Sequence, residues 1–209
     1  MVRVVTFASC YVYSPSGSDA ASERSRLLRT LLKASDARFI FKYAVRVRQQ
    51  VADTAPLAGF FRPSNVLVPI PGSAPPVAGT MSVAEHLALA LLSEGLGHSI
   101  WPGLHRVCAV RKSATAAPGS RPTVGNHYDS FAIDSAAALP RQVVLIDDVV
   151  TKGRTLLAAA ARLQEACPDA QIRAFALLRT MGLVAGVNRL LDPCIGEIRW
   201  RAGDAYRSP

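Results

Sequence analysis

The sequence predicts an α/β protein built on a parallel sheet that is flanked by helices. Short apolar segments, each long enough for one buried strand, alternate with longer segments whose apolar residues recur at helical spacing. Half of the 209 residues are hydrophobic and 19% are charged, a balance typical of a folded chain with a sizeable core. This composition excludes a wholly disordered chain.

The N-terminal part of the chain predicts one strand and two helical stretches. Residues 2–13 are rich in Val, Phe and Tyr and indicate a strand or hairpin arm. Ser22 is expected to cap the first helix, and residues 39–43 indicate a short β-like segment. The second helical stretch is expected to break near Pro56. Its apolar positions are Val47, Val51, Leu57 and Phe60, and those of the first helix are Leu27, Leu28, Leu31 and Leu32.

The remainder of the chain alternates strand and helix signals. Helices are predicted over residues 82–96 and 155–166, and a long polar loop over residues 111–127. Residues 199–207 indicate a closing strand with a tail. The four strands predicted in this part cover residues 65–70, 104–110, 143–146 and 172–178.

The charge of the chain favours anionic ligands. There are 24 Lys and Arg against 15 Asp and Glu, a net charge of +9, and nine of the basic residues fall between positions 24 and 62. We interpret this basic region as the solvated face of two helices, with a surface for nucleic acid or a phosphorylated substrate as the alternative. The nine residues are Arg24, Arg26, Arg29, Lys33, Arg38, Lys42, Arg46, Arg48 and Arg62.

Cysteine spacing and hydropathy indicate a cytoplasmic protein without a membrane span. The four cysteines lie far apart and form no C-x-x-C pair, so we expect reduced thiols rather than a zinc site. The N-terminus does not have the pattern of a signal peptide, and no stretch of 18 apolar residues is free of charge or proline.

The strongest chemical signal lies in residues 143–155. An apolar strand leads into two adjacent acids, Asp147 and Asp148, and a short loop with Thr151, Gly153 and Thr155 then opens a helix. A helix N-terminus binds phosphate through its unpaired N–H groups, and glycine lets the backbone approach the phosphate closely. Two carboxylates beside such a loop suit a ligand that carries both a phosphate and vicinal hydroxyls, together with Mg²⁺. The alternative is an acid pair that merely caps the helix.

Other phosphate-binding motifs are absent from the sequence. It contains neither G-x-x-x-x-G-K-[ST] nor G-x-G-x-x-G, so a Walker-type NTPase and a Rossmann dehydrogenase have no support.

Residues 143–155 resemble the phosphoribosyl pyrophosphate (PRPP) signature of type I phosphoribosyltransferases. Residues 66–73 resemble the strand and pyrophosphate loop of that family, and residues 111–127 stand where the family carries its mobile flap. The order of these segments, with Phe41-Lys-Tyr43 upstream, is similar to the ComF branch, although the N-terminal zinc module of that branch is missing. The resemblance covers roughly residues 39–180 and implies a PRTase-like domain over residues 39–209, with residues 1–38 as a candidate for the family's small hood.

The resemblance implies a role for each part of the signature. Asp147 and Asp148 would hold the ribose hydroxyls, and Gly72 and Ser73 would hold the pyrophosphate with Mg²⁺, which binds mainly through PRPP rather than through direct protein ligands. Arg111 and Lys112, together with Arg121, would close over the pyrophosphate. The PRPP-binding residues carried over from the signature are Asp147, Asp148, Val149, Val150, Thr151, Lys152, Gly153, Arg154 and Thr155.

The implied activity is transfer of 5-phosphoribosyl to an unidentified nitrogen nucleophile with release of pyrophosphate. Thr151 stands where enzymes for 6-oxopurines place an acid, which disfavours hypoxanthine and guanine. Two non-catalytic alternatives stay open, a PRPP-sensing regulator and a ComF-like accessory in DNA uptake. Nucleic acid and a second copy of the chain stay open as partners. His127, at the end of the expected flap, is either an acid or hydrogen-bond donor, or part of a polar loop cluster.

Overall fold

The computed structural model describes residues 2–53, 56–111, 121–134, 140–182 and 186–209. Its helices are α1 (Ala20–Lys33), α2 (Ala37–Asp53), α3 (Val83–Ser93), α4 (Val124–Ser130) and α5 (Arg154–Ala166). Its strands are β1 (Val4–Tyr13), β2 (Val66–Pro69), β3 (Ser99–Ile100), β4 (Leu104–Arg106), β5 (Phe131–Ile133), β6 (Gln142–Val150), β7 (Gln171–Thr180), β8 (Leu191–Arg201) and β9 (Asp204–Ser208).

Seven of these strands form one central sheet in the order β3-β2-β6-β7-β1-β8-β9. The first five are parallel to one another, whereas β8 and β9 are antiparallel to their neighbours. The predicted α/β class, with a mostly parallel sheet flanked by helices, is confirmed. Since β2 and β6 are adjacent and parallel, their carboxyl ends meet at one edge of the sheet, which is where ligands bind in open α/β sheets.

Helices cover both faces of the central sheet. Leucines of α1 and α3 and the apolar stripe of α2 pack against one face, and α5 packs with Val124 of α4 against the other. Strands β6 and β7 are buried on both sides, which explains why their sequences are continuous apolar runs rather than alternating ones. None of the helices in the described ranges is long and apolar enough to span a bilayer.

Residues 39–43 are helical, so the predicted β-like segment is wrong. They lie in α2, where Ile40, Tyr43, Ala44 and Val47 are buried at the spacing of one helix face. The five-residue segment is too short to show a helical period in its apolar residues. That period appears only when the residues up to Val47 are included. Helix α2 ends at Asp53, close to the break expected near Pro56.

The cap of α1 also differs from the prediction. The N-cap is Asp19, whose Oδ1 accepts a hydrogen bond from the Ser22 backbone N–H at 2.8 Å, and Ser22 itself lies in the first turn. Helix α3 begins as expected, because Ser82 and Glu85 form a reciprocal capping box.

Residues 104–110 do not form a strand of the main sheet. Only residues 104–106 are extended, and they pair antiparallel with β5 in a separate two-stranded sheet. Residues 124–127, expected in a polar loop, belong to α4, which is opened by a capping box between Thr123 and Asn126. The remainder of the expected flap falls partly on residues 112–120, which lie outside the described residues.

Both chain termini contribute to the central sheet. Strand β1 lies between β7 and β8, while the predicted closing strand is a hairpin of β8 and β9 whose turn uses positive φ at Ala202 and Gly203. The proposed boundary at residue 38 stays a prediction.

Candidate functional site

Asp147 and Asp148 lie inside β6, not after its end as the sequence predicted. Strand β6 continues to Val150, and Asp147 pairs with Ala176 of β7 in the sheet. Asp148 is 7% exposed, and its Oδ2 lies 2.5 Å from Nζ of Lys33, the last residue of α1. The basic N-terminal helix therefore supplies a counter-ion to the acid pair.

The acid pair is electrostatically strained. Burial raises the pKa of Asp147 well above its ordinary value, the negative charge of Asp148 raises it further, and Lys33 opposes both effects. A charged ligand group or cation that neutralises Asp147 would relieve this strain, which is a common property of carboxylates at binding sites.

Gly153 begins α5 in a conformation that only glycine adopts readily. Its φ is +84°, and its carbonyl accepts the first helical hydrogen bond from the Leu157 N–H at 2.9 Å. A Cβ at this position would lie 2.6 Å from Cδ1 of the buried Ile198 on β8. The loop therefore lies tightly against the C-terminal hairpin, and Gly153 is required by packing as well as by any approach of a phosphate.

The two basic residues of this loop are paired with an acid. Arg154 donates from Nε to Oδ1 of Asp204 at 2.5 Å and from Nη2 to Oδ2 at 2.6 Å, and Lys152 donates to Oδ2 at 3.2 Å. Arg154 also donates from Nη1 to the carbonyl of Pro122 at 3.0 Å. These contacts join the loop to β9 and to the segment before α4, so much of the added positive charge is compensated by Asp204.

The threonines of the loop make side-chain contacts across the site. Oγ1 of Thr151 lies 3.3 Å from Oγ1 of Thr180 at the end of β7, and Oγ1 of Thr155 lies 3.4 Å from Nε2 of His127. These hydroxyls are held beside the N-terminus of α5, where they can add to its backbone N–H groups as phosphate donors.

His127 is buried rather than part of a solvated loop cluster. It is 6% exposed, and its Nδ1 has no hydrogen-bond partner in the described part of the protein. Burial lowers its pKa to about 4, with further contributions from the charges of Arg106 and Arg154. His127 is therefore neutral at physiological pH and contacts the start of α5 through Thr155.

The predicted pyrophosphate loop follows β2 on the same edge of the sheet. Gly72 and Ser73 come shortly after Pro69, and the Ile70 N–H donates to the carbonyl of Ile146 on β6 at 2.8 Å. The Gly72 carbonyl accepts a hydrogen bond from Nε of Arg106 at 2.5 Å. Because Arg106 also interacts electrostatically with Asp147, it links this loop to the acid pair.

The structure gives less support to the basic residues that were expected to act from the flap. Arg111 and Arg121 are both exposed, and Lys112 lies outside the described residues. Lys33, Arg106 and Asp204, which complete the site, were missed because no local motif marks them. Their positions in the sequence are 114, 41 and 57 residues away from Asp147, so only the tertiary fold brings them to it.

The acid pair provides hard oxygen donors of the kind that Mg²⁺ prefers. The described residues contain no group of three or more His, Cys, Asp or Glu side chains placed to hold a metal ion. Two carboxylates are too few to hold a Mg²⁺ ion by themselves, which fits an ion that takes its ligands mainly from phosphate oxygens and water.

No protein-family model matches the chain, and no curated protein matches it.

Proposed function

We propose that the chain is a type I phosphoribosyltransferase that binds Mg²⁺ and PRPP and transfers 5-phosphoribosyl to a nitrogen nucleophile. One observation carries this proposal: the Thr151–Thr155 loop opens α5 directly after the acid pair on β6, beside the Gly72–Ser73 loop of the neighbouring strand β2. A helix N-terminus flanked by threonines, a pair of carboxylates and a second loop lie at one edge of the sheet, and this order supports binding of the three parts of PRPP.

The 5-phosphate would bind at the start of α5. Thr151 and Thr155 supply hydroxyls, and the first turn of a 13-residue helix supplies N–H groups and the positive end of its dipole. Pairing of Lys152 and Arg154 with Asp204 leaves these neutral donors as the principal phosphate ligands.

The ribose would bind at the acid pair, where its two hydroxyls can donate to the carboxylates of Asp147 and Asp148. Each charge-assisted hydrogen bond of this type contributes about 1.5–3 kcal/mol, or roughly tenfold to a hundredfold in affinity. Mg²⁺, when bound, would supply positive charge to the pyrophosphate oxygens.

In the proposed reaction, the lone pair of the nitrogen nucleophile forms a bond to C1 of the ribose. The bond from C1 to the pyrophosphate oxygen breaks, its electron pair leaves with pyrophosphate, and the nitrogen releases a proton to solvent. The residues described here act by binding and orienting the sugar and by stabilising the leaving group.

The test compares ligand-induced stabilisation of three proteins. Mg²⁺ and PRPP at millimolar concentration should raise the melting temperature of the wild type. Thr155→Val, which removes a hydroxyl from the loop, should show a smaller rise. Thr30→Val is the matched control, because the Thr30 side chain is exposed on α1 and, among the described residues, its hydroxyl bonds the Arg26 carbonyl, at 3.0 Å.

A wild type that PRPP does not stabilise, or a full rise in Thr155→Val, would overturn the proposed site. Pyrophosphate release is then assayed with a panel of bases and amines. Release with at least one compound supports the transferase, whereas stabilisation without any release identifies a PRPP-binding regulator instead.

A further inference from the structure

Arg106 is a buried arginine whose guanidinium is held from three sides. It is 2% exposed, its Nε donates to the Gly72 carbonyl at 2.5 Å, and its Nη1 donates to Oγ of Ser130. Its Cζ lies 4.3 Å from the centre of the Phe131 ring. Ser130 in turn donates its hydroxyl to the carbonyl of His127 at 2.7 Å. The position of the guanidinium is therefore fixed before any ligand binds.

Burying this charge is unfavourable on its own. Burial lowers the pKa of the Arg106 guanidinium, and among the described groups the nearby Cys108 and Asp147 side chains, when ionised, oppose that effect. Arginine nevertheless stays protonated in proteins. A desolvated positive charge beside the pyrophosphate loop raises the affinity of that loop for an anion.

The contacts of Arg106 also determine how the loop is oriented. Arg106 holds the Gly72 carbonyl, and the Val110 N–H holds the next carbonyl, that of Ser73, at 2.7 Å. A trans peptide is planar, so its N–H points away from its carbonyl. The Ser73 N–H therefore points away from Arg106, and the Ala74 N–H points away from Val110. Successive N–H groups on one side of a loop form an anion-binding concavity.

Space is available beside this loop. A Cβ added at Gly72 would meet no atom of the described residues within 4 Å. Arg106 therefore fixes the orientation of the loop at Gly72, and the space beside Gly72 is open.

We propose that Arg106 is a positioning residue for the anion-binding loop at Gly72–Ala74, where it orients the backbone N–H groups that receive the pyrophosphate end of the ligand. This inference rests on the proposed function and adds to it a residue outside the flap, from which Arg111 and Lys112 were expected to act. Its specific consequence is that loss of Arg106 weakens binding at one end of the ligand only.

The experiment measures two probes separately by titration calorimetry. Pyrophosphate with Mg²⁺ reports on the Gly72 loop, and ribose 5-phosphate reports on the acid pair and the α5 loop. Arg106→Met should weaken pyrophosphate binding about tenfold or more and leave ribose 5-phosphate binding unchanged. Arg106→Lys, which keeps the charge but loses the fork of donors, should weaken pyrophosphate binding by less, and it replaces the methionine variant if that variant does not fold.

Arg162→Met is the matched control. Arg162 also lies over an aromatic ring, 4.5 Å from the centre of Tyr128, and its Nε donates to the Phe131 carbonyl at 3.0 Å. This variant should bind both probes as the wild type does. Equal loss of both probes in the Arg106 variants, no loss of either, or the same loss in Arg162→Met would overturn the role of Arg106. A wild type that binds neither probe would instead overturn the proposed function.

Discussion

Asp147 and Asp148 are adjacent in sequence but have different surroundings. Asp148 has a counter-ion in Lys33, whereas the pKa of Asp147 is raised first by burial and then by the charge of Asp148. An aspartate with a raised pKa binds more protons in the folded chain than in the unfolded chain. The stability that it contributes is therefore present at low pH and is lost as the pH rises from the ordinary aspartate value through the raised one.

This asymmetry predicts that Asp147→Asn removes a loss of stability between about pH 4 and pH 8. In this range the Asp147 carboxyl is ionised in the unfolded chain but protonated in the folded chain, because burial raises its pKa to about 8, so the wild type should lose stability as the pH rises and the variant should lose less. His127, with a pKa lowered to about 4, changes stability between that value and its ordinary 6.5, but it does so in both proteins and cancels in the difference between them. Asp148→Asn is the comparison. It removes the same repulsion between the two carboxylates but also the contact with Lys33, so it should gain less stability than Asp147→Asn.

The measurement is the melting temperature across this pH range. Parallel profiles for the wild type and Asp147→Asn, with the variant melting lower throughout, would show that Asp147 is a structural residue and not a strained binding group.

Single residues of the site could be predicted only where they belong to one continuous segment of the sequence. Asp147, Asp148 and Gly153 follow one another in a strand–loop–helix unit, so their proximity can be inferred from the sequence alone. The orientation of Arg154 could not, because it depends on Asp204, which lies 50 residues away along the chain.

At the scale of elements, the α5 loop depends on the C-terminal hairpin. Gly153 combines a φ of +84° with a close approach to Ile198, so any side chain there meets both backbone strain and a packed neighbour. The β8–β9 hairpin therefore shapes the phosphate loop although it contains no part of the motif.

We predict that Gly153→Ala destabilises the protein by about 1–3 kcal/mol, beyond the cost of positive φ alone. Gly203→Ala is the matched control, since Gly203 has a φ of +81° and a Cβ there would meet nothing within 4 Å in the part of the chain that the structure describes. Introducing Ile198→Ala should reduce the cost of Gly153→Ala, because the clash is then removed.

Denaturant unfolding of the single and double variants gives these values. Equal costs at Gly153 and Gly203, or no coupling with Ile198, would mean that the hairpin does not constrain the loop. A variant at Gly153 that fails to bind PRPP is informative only after this loss of stability has been measured.

Elements were predicted well where their apolar pattern was long or fully buried. Strands β6 and β7 and helices α3 and α5 lie within a few residues of their predicted bounds. Residues 39–43 were assigned incorrectly because a short apolar run fits a strand and a helix equally. Residues 104–110 were apolar enough for a strand, but their antiparallel partner β5 was not recognised.

At the scale of the whole molecule, the order of the strands could not be read from the sequence. The N-terminal strand β1 lies between β7 and β8, and this places α1, with Lys33 at its end, beside Asp148. Some residues of the basic region therefore make contacts that stabilise the fold. Arg26 bonds the carbonyls of Ser14 and Gly17, and Arg48 bonds that of Glu94.

In the proposed function, the loops after β2 and β6 form one ligand site. Amide hydrogen exchange of the wild type, with Mg²⁺ alone and with Mg²⁺ and PRPP, tests it most directly. We predict that PRPP slows exchange at residues 72–74 and at residues 151–155 over the same range of concentration. Protection of one loop without the other, or protection confined to α1 and α2, would contradict the claim.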